Sequence, residues 1–443
     1  MKESARQAAW EALLRVEENA SYSNLTLDHT LSGGGLSHRD KSFASQLFYG
    51  VLEKKLLLDY NLAVLSDRPL MQIDRRVLVV LRMGLYQLWM MDSVPGSAAV
   101  NESVELCRAN GQSRACGFVN GLLRAASGMP EPRLPDRRKG KNKYDSVKYS
   151  CPEPIIRLWR QGYGDEVTKG ILESLDGRPP LSVRVNTLKT TAQELKVSLE
   201  QEGLGAEYST LLSDCLTLTR TGAIEELPQY REGLFHVQDQ ASQLCCRILQ
   251  AEPGRTVLDV CAAPGGKSFT IAEQMQDHGS IVAGDLYRSR LQLVEKGAKR
   301  LGIHILTTVE GDASRLELAL QADRVLCDVP CSGLGILRRK PELRYKPALG
   351  LEELPPLQYA ILCRAAAYVR SGGLLVYSTC TLNPAENNGT IRRFLSEHEE
   401  FAAEPIPVPE GFRRGTDERD NELTLFPHIN GTDGFFISLI RRK

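Results

Sequence analysis

Residues 257–267 read VLDVCAAPGGK and join an apolar run to a turn of small residues. The run contains β-branched residues, which favours a buried strand. Residues 267–275 (KSFTIAEQM) then have the composition of a helix. A strand, a tight turn and a helix bring backbone N–H groups and a helix N-terminus to a ligand, and two glycines permit close backbone approach. The stretch therefore predicts a ligand site in an α/β domain.

This turn differs from two common phosphate-binding patterns. A P-loop, GxxxxGK[ST], would need another glycine five positions before Gly266, where none stands, and the dinucleotide pattern GxGxxG is also missing. The missing GxGxxG disfavours a dehydrogenase. On the shape of the turn alone, an ordinary βα connection stays open as the alternative.

Three later strands are predicted to deliver polar or reactive side chains at their carboxyl ends. Residues 280–284 (SIVAG) end at Asp285, whose carboxylate can accept hydrogen bonds from both hydroxyls of a ribose. Residues 324–327 (RVLC) lead into DVPCSG, and residues 373–377 (GLLVY) lead into STC. Open α/β sheets bind ligands at this edge, so these groups are predicted to face a ligand.

The motifs CAAPGGK, DVPCSG and STC, in this order, resemble those of the RNA cytosine-5 methyltransferases that use S-adenosylmethionine. The helical N-terminal part narrows the resemblance to the bacterial small-subunit rRNA enzymes of the RsmB (Sun/Fmu) type, over nearly all of the chain. The resemblance implies methylation of C5 of a cytosine in 16S rRNA, with S-adenosylmethionine as the cofactor. It also implies a NusB-like helical RNA-binding domain, an RRM-like α/β lobe and a C-terminal Rossmann-like methyltransferase domain.

Length and composition bound the class of protein. The chain has 443 residues, which suggests two or three domains, and its 42% hydrophobic and 25% charged residues are typical of a soluble globular protein. The formal net charge is zero, which argues against a surface coated with basic residues and leaves room for a local basic patch.

The chain opens in an amphipathic pattern without a signal peptide, and no apolar stretch has the length of a membrane span. Its eleven cysteines form no CxxC pair and have no histidine at metal-ligand spacing, so a metal site is not expected. We therefore expect a cytoplasmic protein with reduced thiols, away from membranes. The resemblance implies 16S rRNA as its partner, and we expect it to act as a monomer.

Four segments are predicted along the chain. Residues 1–128 show apolar faces at helical spacing, and residues 129–149 form a basic, proline-containing, extended linker. Residues 150–235 form the small α/β lobe, and residues 236–443 alternate strands and helices as a doubly wound sheet requires. The resemblance makes the last strand, in residues 434–440, antiparallel. A helical dimerisation or docking domain stays open for the first segment.

Methylation at C5 needs a reactive thiol because C5 of cytosine is a poor nucleophile. Addition of a thiolate to C6 makes C5 enamine-like, and a base later removes the C5 proton as the thiolate leaves. The target base must also be unstacked. Two cysteines, Cys331 and Cys380, lie in small-residue turns after predicted strands, and the residues alone do not decide which one attacks. The resemblance implies that Cys380 is the nucleophile and that Cys331 assists product release, whereas DNA cytosine methyltransferases use the cysteine of the ProCys pair.

Asp328 is predicted to meet the N3 and N4 edge of the base, with a turn cap as the alternative. For the cofactor, the resemblance implies Cys261, Ala262, Ala263, Pro264, Gly265, Gly266, Lys267, Asp285, Asp312 and Asp328. Asp312 follows a predicted strand at residues 305–309 and would sit near the adenine, or it caps a helix. Asp259 and Arg290 are second choices.

A basic loop after the DVPCSG turn carries Arg338, Arg339, Lys340 and Arg344, which suits RNA phosphates. The basic part of the 129–149 linker suits them too. In both places a solvated surface is the alternative. Two other functions also stay open: methylation of another RNA such as tRNA, and a non-catalytic RNA-binding or assembly role. Transfer to adenine N6 is disfavoured, because DVPC stands where such enzymes have [DN]PP[YF].

Overall fold

The chain divides between a helical unit and an α/β unit. The computed structural model describes residues 4–19, 27, 30–31, 35–177, 179–346, 350–415 and 418–443. The helical unit comprises Met1–Gly177 and Leu337–Pro347, and the α/β unit comprises Arg178–Ile336 and Ala348–Lys443. None of the described helices is both long and apolar enough to cross a membrane.

Apolar stripes at helical spacing build the first unit. Its helices are α1 (Ala5–Asn19), α2 (His38–Glu53), α3 (Lys55–Leu65), α4 (Arg75–Met90), α5 (Gly96–Ala109), α6 (Cys116–Ser127), α7 (Lys141–Tyr149) and α8 (Glu153–Glu173). Helix α2 begins at a capping box, in which Ser37 and Asp40 exchange hydrogen bonds. The apolar faces of α1 to α6 pack into one core, which confirms the predicted helical bundle.

Arg82 of α4 is a buried cation in this bundle. Its guanidinium donates to Asp59 on α3 and to Glu17 on α1, each at 2.6 Å. Replacing Arg82 by methionine leaves both carboxylates without this donor. We expect a loss of about 3 kcal/mol in the free energy of unfolding, the lower end of the cost of breaking a buried pair, because the two acids are partly exposed.

Urea unfolding followed by far-UV circular dichroism measures this loss. The matched control is Arg108→Met, which breaks an exposed pair with Glu105 on α5 and should leave the unfolding midpoint unchanged. Equal midpoints for the two variants would show that the buried triad does not stabilise the bundle.

The sequence predicted that the basic segment 129–149 is extended, and the structure shows that this is only partly so. The second half of the segment forms α7, in which Val147 and Tyr149 are buried. Asp145 of α7 is buried as well and pairs with Arg160 of α8. The prediction was wrong here because the partners that bury one face of this charged helix come from other helices, α3 and α8.

The predicted RNA contact of Arg344 is also wrong. Arg344 is 2% exposed, and its Nη1 donates to the backbone carbonyls of Glu53 at 3.1 Å and of Tyr149 and Ser150 at 3.3 Å. Segment Leu337–Pro347 is part of the helical unit, and this guanidinium satisfies carbonyls at the ends of α2 and α7. A side chain engaged in this way holds the fold and is not offered to a phosphate.

The α/β unit begins with a small lobe. Its elements are β1 (Leu181–Val185), α9 (Ala192–Gln201), β2 (Gly205–Tyr208), β3 (Cys215–Thr219), α10 (Pro228–Arg231) and β4 (Phe235–Val237). The strands form one antiparallel sheet in the order β2-β3-β1-β4. A β-α-β-β-α-β chain with this order is ferredoxin-like, the arrangement that RRM domains share, so the RRM-like lobe is confirmed.

The larger part of this unit is a mixed sheet with helices on its faces. The strands are β5 (Thr256–Asp259), β6 (Ser280–Asp285), β7 (Leu306–Glu310), β8 (Ala322–Asp328), β9 (Val369–Thr379), β10 (Phe401–Ala403), β11 (Glu422–Leu425) and β12 (Phe435–Arg442). The helices are α11 (Gln240–Ile248), α12 (Gly266–Gln274), α13 (Arg288–Leu301), α14 (Gly350–Ala366), α15 (Asn388–Glu397) and α16 (Pro427–Asn430).

The order of the strands marks where a ligand can bind. The sheet runs β10-β12-β9-β8-β5-β6-β7, with β11 beside β12. Strands β5 to β9 pair in parallel, and β12 is antiparallel to β9, as the resemblance implied. The chain winds from β5 outward to β7 and then crosses back to β8, so its direction reverses between β5 and β8. Doubly wound sheets bind ligands at the carboxyl ends of strands at such a reversal.

Candidate active site

The turn after β5 lies at this reversal. Gly265 has a φ of +110°, and a Cβ there would come within 2.3 Å of the Phe269 ring, so the turn requires glycine. The N–H of Ala262 donates to the carbonyl of Gly284 at 2.7 Å, which ties the turn to the end of β6. Helix α12 begins at Gly266. Residues 261–267 therefore lie on one turn at the carboxyl edge of the sheet.

Asp259 ends β5 and is buried. Its Oδ2 accepts a hydrogen bond of 2.6 Å from Ser268 on α12. Burial raises the pKa of Asp259 to about 7. The contact joins β5 to α12, so the structure gives Asp259, a secondary candidate for cofactor binding, a structural role.

Asp285 ends β6 and is 4% exposed. Its Oδ1 accepts the N–H of Tyr287 at 3.2 Å and lies 3.4 Å from Nη1 of Arg290. Arg290 also donates to the carbonyl of Ala263 at 2.8 Å, so the structure brings Asp285 and the turn after β5 together. Both contacts of this carboxylate within the described residues use Oδ1. Oδ2 is thus placed to accept a ligand hydroxyl, and the site fits a ribose-bearing cofactor.

Asp312 lies beyond the end of β7 and is exposed. Its Oδ1 accepts the hydroxyl of Ser314 at 2.7 Å and the Ser314 N–H at 2.9 Å, and these bonds lower the pKa of Asp312. The carboxylate therefore caps a local turn. Since β7 pairs with β6, Asp312 is one strand away from Asp285 at the same edge.

Asp328 and Lys267 form an ion pair between the ends of neighbouring strands. Lys267 Nζ lies 2.7 Å from Asp328 Oδ2, and the Ser378 hydroxyl donates to Asp328 Oδ1 at 2.7 Å. Burial acts to lower the pKa of Lys267, but the Asp328 carboxylate outweighs it and raises that pKa above its ordinary value. A charged ammonium and a carboxylate with two engaged oxygens thus sit together at the edge of the sheet.

Cys331 and Cys380 meet although they are 49 positions apart in the chain. Cys331 lies in the turn after β8 and Cys380 directly after β9, and these strands are parallel neighbours. Their Sγ atoms are 3.1 Å apart, and both residues are half-buried. The hydrogen bond to Cys380, together with burial, raises the pKa of Cys331 well above its ordinary value. Cys331 is therefore a thiol at neutral pH beside a second sulfur.

Other cysteines have the environment of packing residues. Cys327 lies inside β8 with 0% exposure, and burial raises its pKa well above the ordinary value. Burial also raises the pKa of Cys261 in the turn after β5. Within the described ranges, no group of three or more His, Cys, Asp or Glu side chains is placed to hold a metal ion.

Sequence reasoning missed the polar frame that holds the two cysteine turns together. The hydroxyls of Ser332 and Thr381 are 2.6 Å apart, and Ser332 also donates to the carboxylate of Glu386. Glu386 is 0% exposed. The available signal was the run NPAEN at residues 383–387, which begins three positions after Cys380. Such a run resembles a solvated loop, and only the tertiary structure shows that its polar side chains are buried.

Three family models match the chain. The model described as 16S rRNA methyltransferase RsmB/F matches residues 246–441. The NusB family model matches residues 3–127, and the RsmF/B-like methyltransferase ferredoxin-like domain matches residues 151–225. These three regions correspond to the sheet domain, the helical bundle and the lobe of the structure.

Similar proteins cover the chain from end to end. The probable ribosomal RNA small subunit methyltransferase B of Synechocystis sp. is 39% identical over 99% of this chain and 99% of its own. The protein of the same name from Bacillus subtilis is 36% identical over 100% of this chain and 99% of its own. The crystal structure of PH0851 has a TM-score of 0.85 at 26% identity, over 99% of this chain and 98% of that one. Identity at this level over the full length shows that the chain belongs to the 16S rRNA methyltransferase RsmB/F family.

Proposed function

We propose that this protein transfers a methyl group from S-adenosylmethionine to C5 of an unstacked cytosine in 16S rRNA. The observation that carries the proposal is the pair of thiols, Cys331 and Cys380, whose sulfurs are 3.1 Å apart. The Lys267–Asp328 ion pair adds polar groups for a base, with Asp328 at the end of β8 and Lys267 in the first turn of α12. The names of the Synechocystis and Bacillus subtilis relatives support the ribosomal small subunit as the substrate class.

S-adenosylmethionine supplies an electrophilic methyl group when it is bound. We assign its binding to the turn of residues 261–267, to Asp285 and Asp312, and to Asp328 at the border with the base. Asp285 supports this assignment best, since its carboxylate ends β6 with Oδ2 placed for ribose hydroxyls. For Asp312, binding the adenine side would compete with its present hydrogen bonds to Ser314.

Cys380 is assigned as the nucleophile. Its sulfur forms a bond to C6 of the cytosine, and the electrons of the C5–C6 double bond make C5 nucleophilic. C5 then takes the methyl group. Loss of the C5 proton restores the double bond, breaks the C6–S bond and returns the thiolate. Asp328 and Lys267 act at the N3 and N4 edge, where the carboxylate accepts an amino hydrogen and the ammonium offsets the charge that addition puts on the ring.

Cys331 is assigned to product release, since its thiol lies against the sulfur that must leave. The opposite assignment, with Cys331 as the nucleophile, remains the alternative that DNA cytosine methyltransferases suggest. Because its proposed substrate is ribosomal RNA, we place the protein in the cytoplasm, and we propose that it acts as a monomer.

RNA phosphates are proposed to contact Arg338, Arg339 and Lys340 and the basic residues of segment 137–148. In that segment Arg138, Lys139 and Lys143 are exposed. Positive side chains that neutralise phosphates release counterions, so RNA affinity should fall steeply with salt although the chain has no net charge.

Changing Arg138, Lys139 and Lys143 together to alanine should weaken RNA binding at every sequence. The slope of log K against log salt concentration should become shallower by about 2, since each lost contact to single-stranded RNA removes about 0.7. Filter binding between 50 and 200 mM salt, roughly the range over which such slopes are resolved, measures it. The control Lys296→Ala, an exposed cation on α13, should leave the slope unchanged. An unchanged slope in the triple variant would remove this segment from the RNA surface.

The decisive experiment for the function uses labelled S-adenosylmethionine with unmodified small-subunit rRNA and, in parallel, tRNA. Nucleoside analysis should find 5-methylcytidine in the rRNA alone. 5-Methylcytidine in tRNA would support the proposed reaction but identify tRNA as a substrate. Absence of label from both RNAs, with the cofactor still bound, would overturn the enzyme assignment in favour of an RNA-binding or assembly role.

A further inference from the structure

Glu386 is a buried carboxylate that the proposed chemistry does not use. Its Oε2 accepts the backbone N–H of Ser332 at 2.9 Å and the amide of Gln358 at 2.8 Å. Its Oε1 accepts the hydroxyl of Ser332 at 2.5 Å and the amide of Asn383 at 2.9 Å. These four donor groups, from three residues, all point at the two carboxylate oxygens, which act as acceptors. Among the described residues, no cation lies within ion-pair distance of it.

These bonds join the two turns that carry the thiols. Ser332 directly follows Cys331 in the turn after β8, whereas Glu386 comes six positions after Cys380 in the segment after β9. Gln358 also donates to the carbonyl of Pro330 at 2.9 Å, so both neighbours of Cys331 are held by this network.

The position of Glu386 is itself determined by β9. The buried hydroxyl of Tyr377 donates to the backbone carbonyl of Glu386 at 2.6 Å. Asn387 accepts the hydroxyl of Thr379 at 2.6 Å and donates to the carbonyl of Thr381 at 2.9 Å. These hydrogen bonds hold the segment after β9 against the strand that precedes Cys380. Through Glu386 the same segment also holds the turn that carries Cys331.

Building on the proposed function, we propose that Glu386 is a positioning residue for product release, which holds the Cys331 thiol against the sulfur of Cys380 through two hydrogen bonds to Ser332, one to Asn383 and one to Gln358 of α14. Loss of this carboxylate then resembles loss of Cys331 while both thiols remain. Formation of the covalent RNA complex needs Cys380 alone and should proceed. Resolution of that complex needs Cys331 in place and should slow.

Glu386→Gln is the sharpest substitution because it keeps the size of the side chain and replaces one acceptor by a donor. In one orientation the new NH₂ faces the backbone N–H of Ser332 and the amide of Gln358. In the other it faces the Ser332 hydroxyl and the amide of Asn383. The first orientation opposes two pairs of donors, one of which contains a backbone N–H that cannot turn away. In the second orientation the Ser332 hydroxyl can rotate to accept, so only the amide of Asn383 is opposed. Glu386→Asp keeps acceptors only, on a side chain that is one methylene shorter.

The test uses the full chain, S-adenosylmethionine and a 16S rRNA transcript that the parent protein methylates. For Glu386→Gln we expect kcat to fall by about 10- to 100-fold, the usual range for a residue that orients a catalytic group, with kcat/KM for RNA little changed, because slowing a step after adduct formation lowers KM together with kcat. A covalent protein–RNA adduct should accumulate on denaturing gels. Glu386→Asp should recover part of the rate, and Glu397→Gln, an exposed glutamate on α15, should behave as the parent does.

Three outcomes would overturn the inference. The first is a parent-like kcat without adduct in Glu386→Gln. The second is a joint loss of cofactor affinity and of the urea midpoint, which would show a structural role only. The third is accumulation of the adduct in Glu397→Gln as well. If the parent protein makes no 5-methylcytidine, both the proposed function and this inference are wrong. If the parent is active and Glu386→Gln behaves as the parent does, only this inference is wrong.

Discussion

Replacing Cys380 by alanine is expected to abolish methyl transfer to RNA, with a fall in kcat of about 10⁴-fold or more, the scale seen when a covalent nucleophile is removed. Alanine retains the backbone carbonyl that accepts the Gly335 N–H at 3.1 Å, so the turn should keep its shape. Apart from Asp328 at the end of β8, the residues assigned to the cofactor lie at or after the ends of β5, β6 and β7, away from Cys380. Affinity for S-adenosylmethionine should therefore stay within about 2-fold of the parent value, a change of less than 0.5 kcal/mol.

Single-turnover methylation of 16S rRNA, with calorimetric titration of the cofactor, measures both quantities. Cys363→Ala is the matched control, since Cys363 is a half-buried cysteine on α14 whose nearest polar partner is His398. It should retain parent activity. Full activity in Cys380→Ala would sink the assignment of the nucleophile, and equal losses in both cysteine variants would point to general damage.

Replacing Cys331 by alanine is expected to trap the enzyme on its substrate. Cys380 can still add to C6, but the thiol 3.1 Å from it that assists release is gone. We expect multiple turnover to fall by about 10³-fold, of the order found for members of a catalytic unit, while most of the enzyme forms a covalent complex with RNA. The complex should survive denaturation and appear as a slow band on a gel.

The double variant Cys331→Ala with Cys380→Ala separates the roles of the two thiols. It should form no adduct, because the attacking sulfur is missing. An adduct that forms in Cys380→Ala and is lost in Cys331→Ala would reverse the two assignments. Absence of adduct in every variant, with active parent protein, would argue against a covalent mechanism altogether.

Local pattern was enough to predict most of the fold. Helical spacing of apolar residues predicted the bundle, and alternating strands and helices with a small-residue turn predicted the doubly wound sheet. These predictions succeed because periodicity and turn chemistry depend on neighbours within a few positions. Local pattern also predicted a small α/β lobe at residues 150–235. The family resemblance added the RRM-like type of this lobe and the antiparallel direction of the last strand.

The two predictions that the structure corrects both concern charged residues. The chain of 129–149 contains too few apolar residues to predict α7, whose burial depends on α3 and α8. Arg344 stands in a basic run, yet its guanidinium meets backbone carbonyls from two distant places in the chain. A charge in a sequence indicates solvent exposure only on average, since burial depends on which partners the fold brings to it.

The sequence by itself determined which chemical groups stand at strand ends: the turn of residues 261–267, Asp285, Asp328, Cys331 and Cys380. Only the tertiary structure decided their distances. Strand order places β8 beside β9 and so brings two sulfurs from positions 49 apart to 3.1 Å. The tertiary structure also buries Glu386, a loop residue, as a hydrogen-bond acceptor between the two turns that carry these sulfurs. Pairing between distant strands is set by the sum of long-range packing and hydrogen bonds, which a local stretch of sequence does not contain.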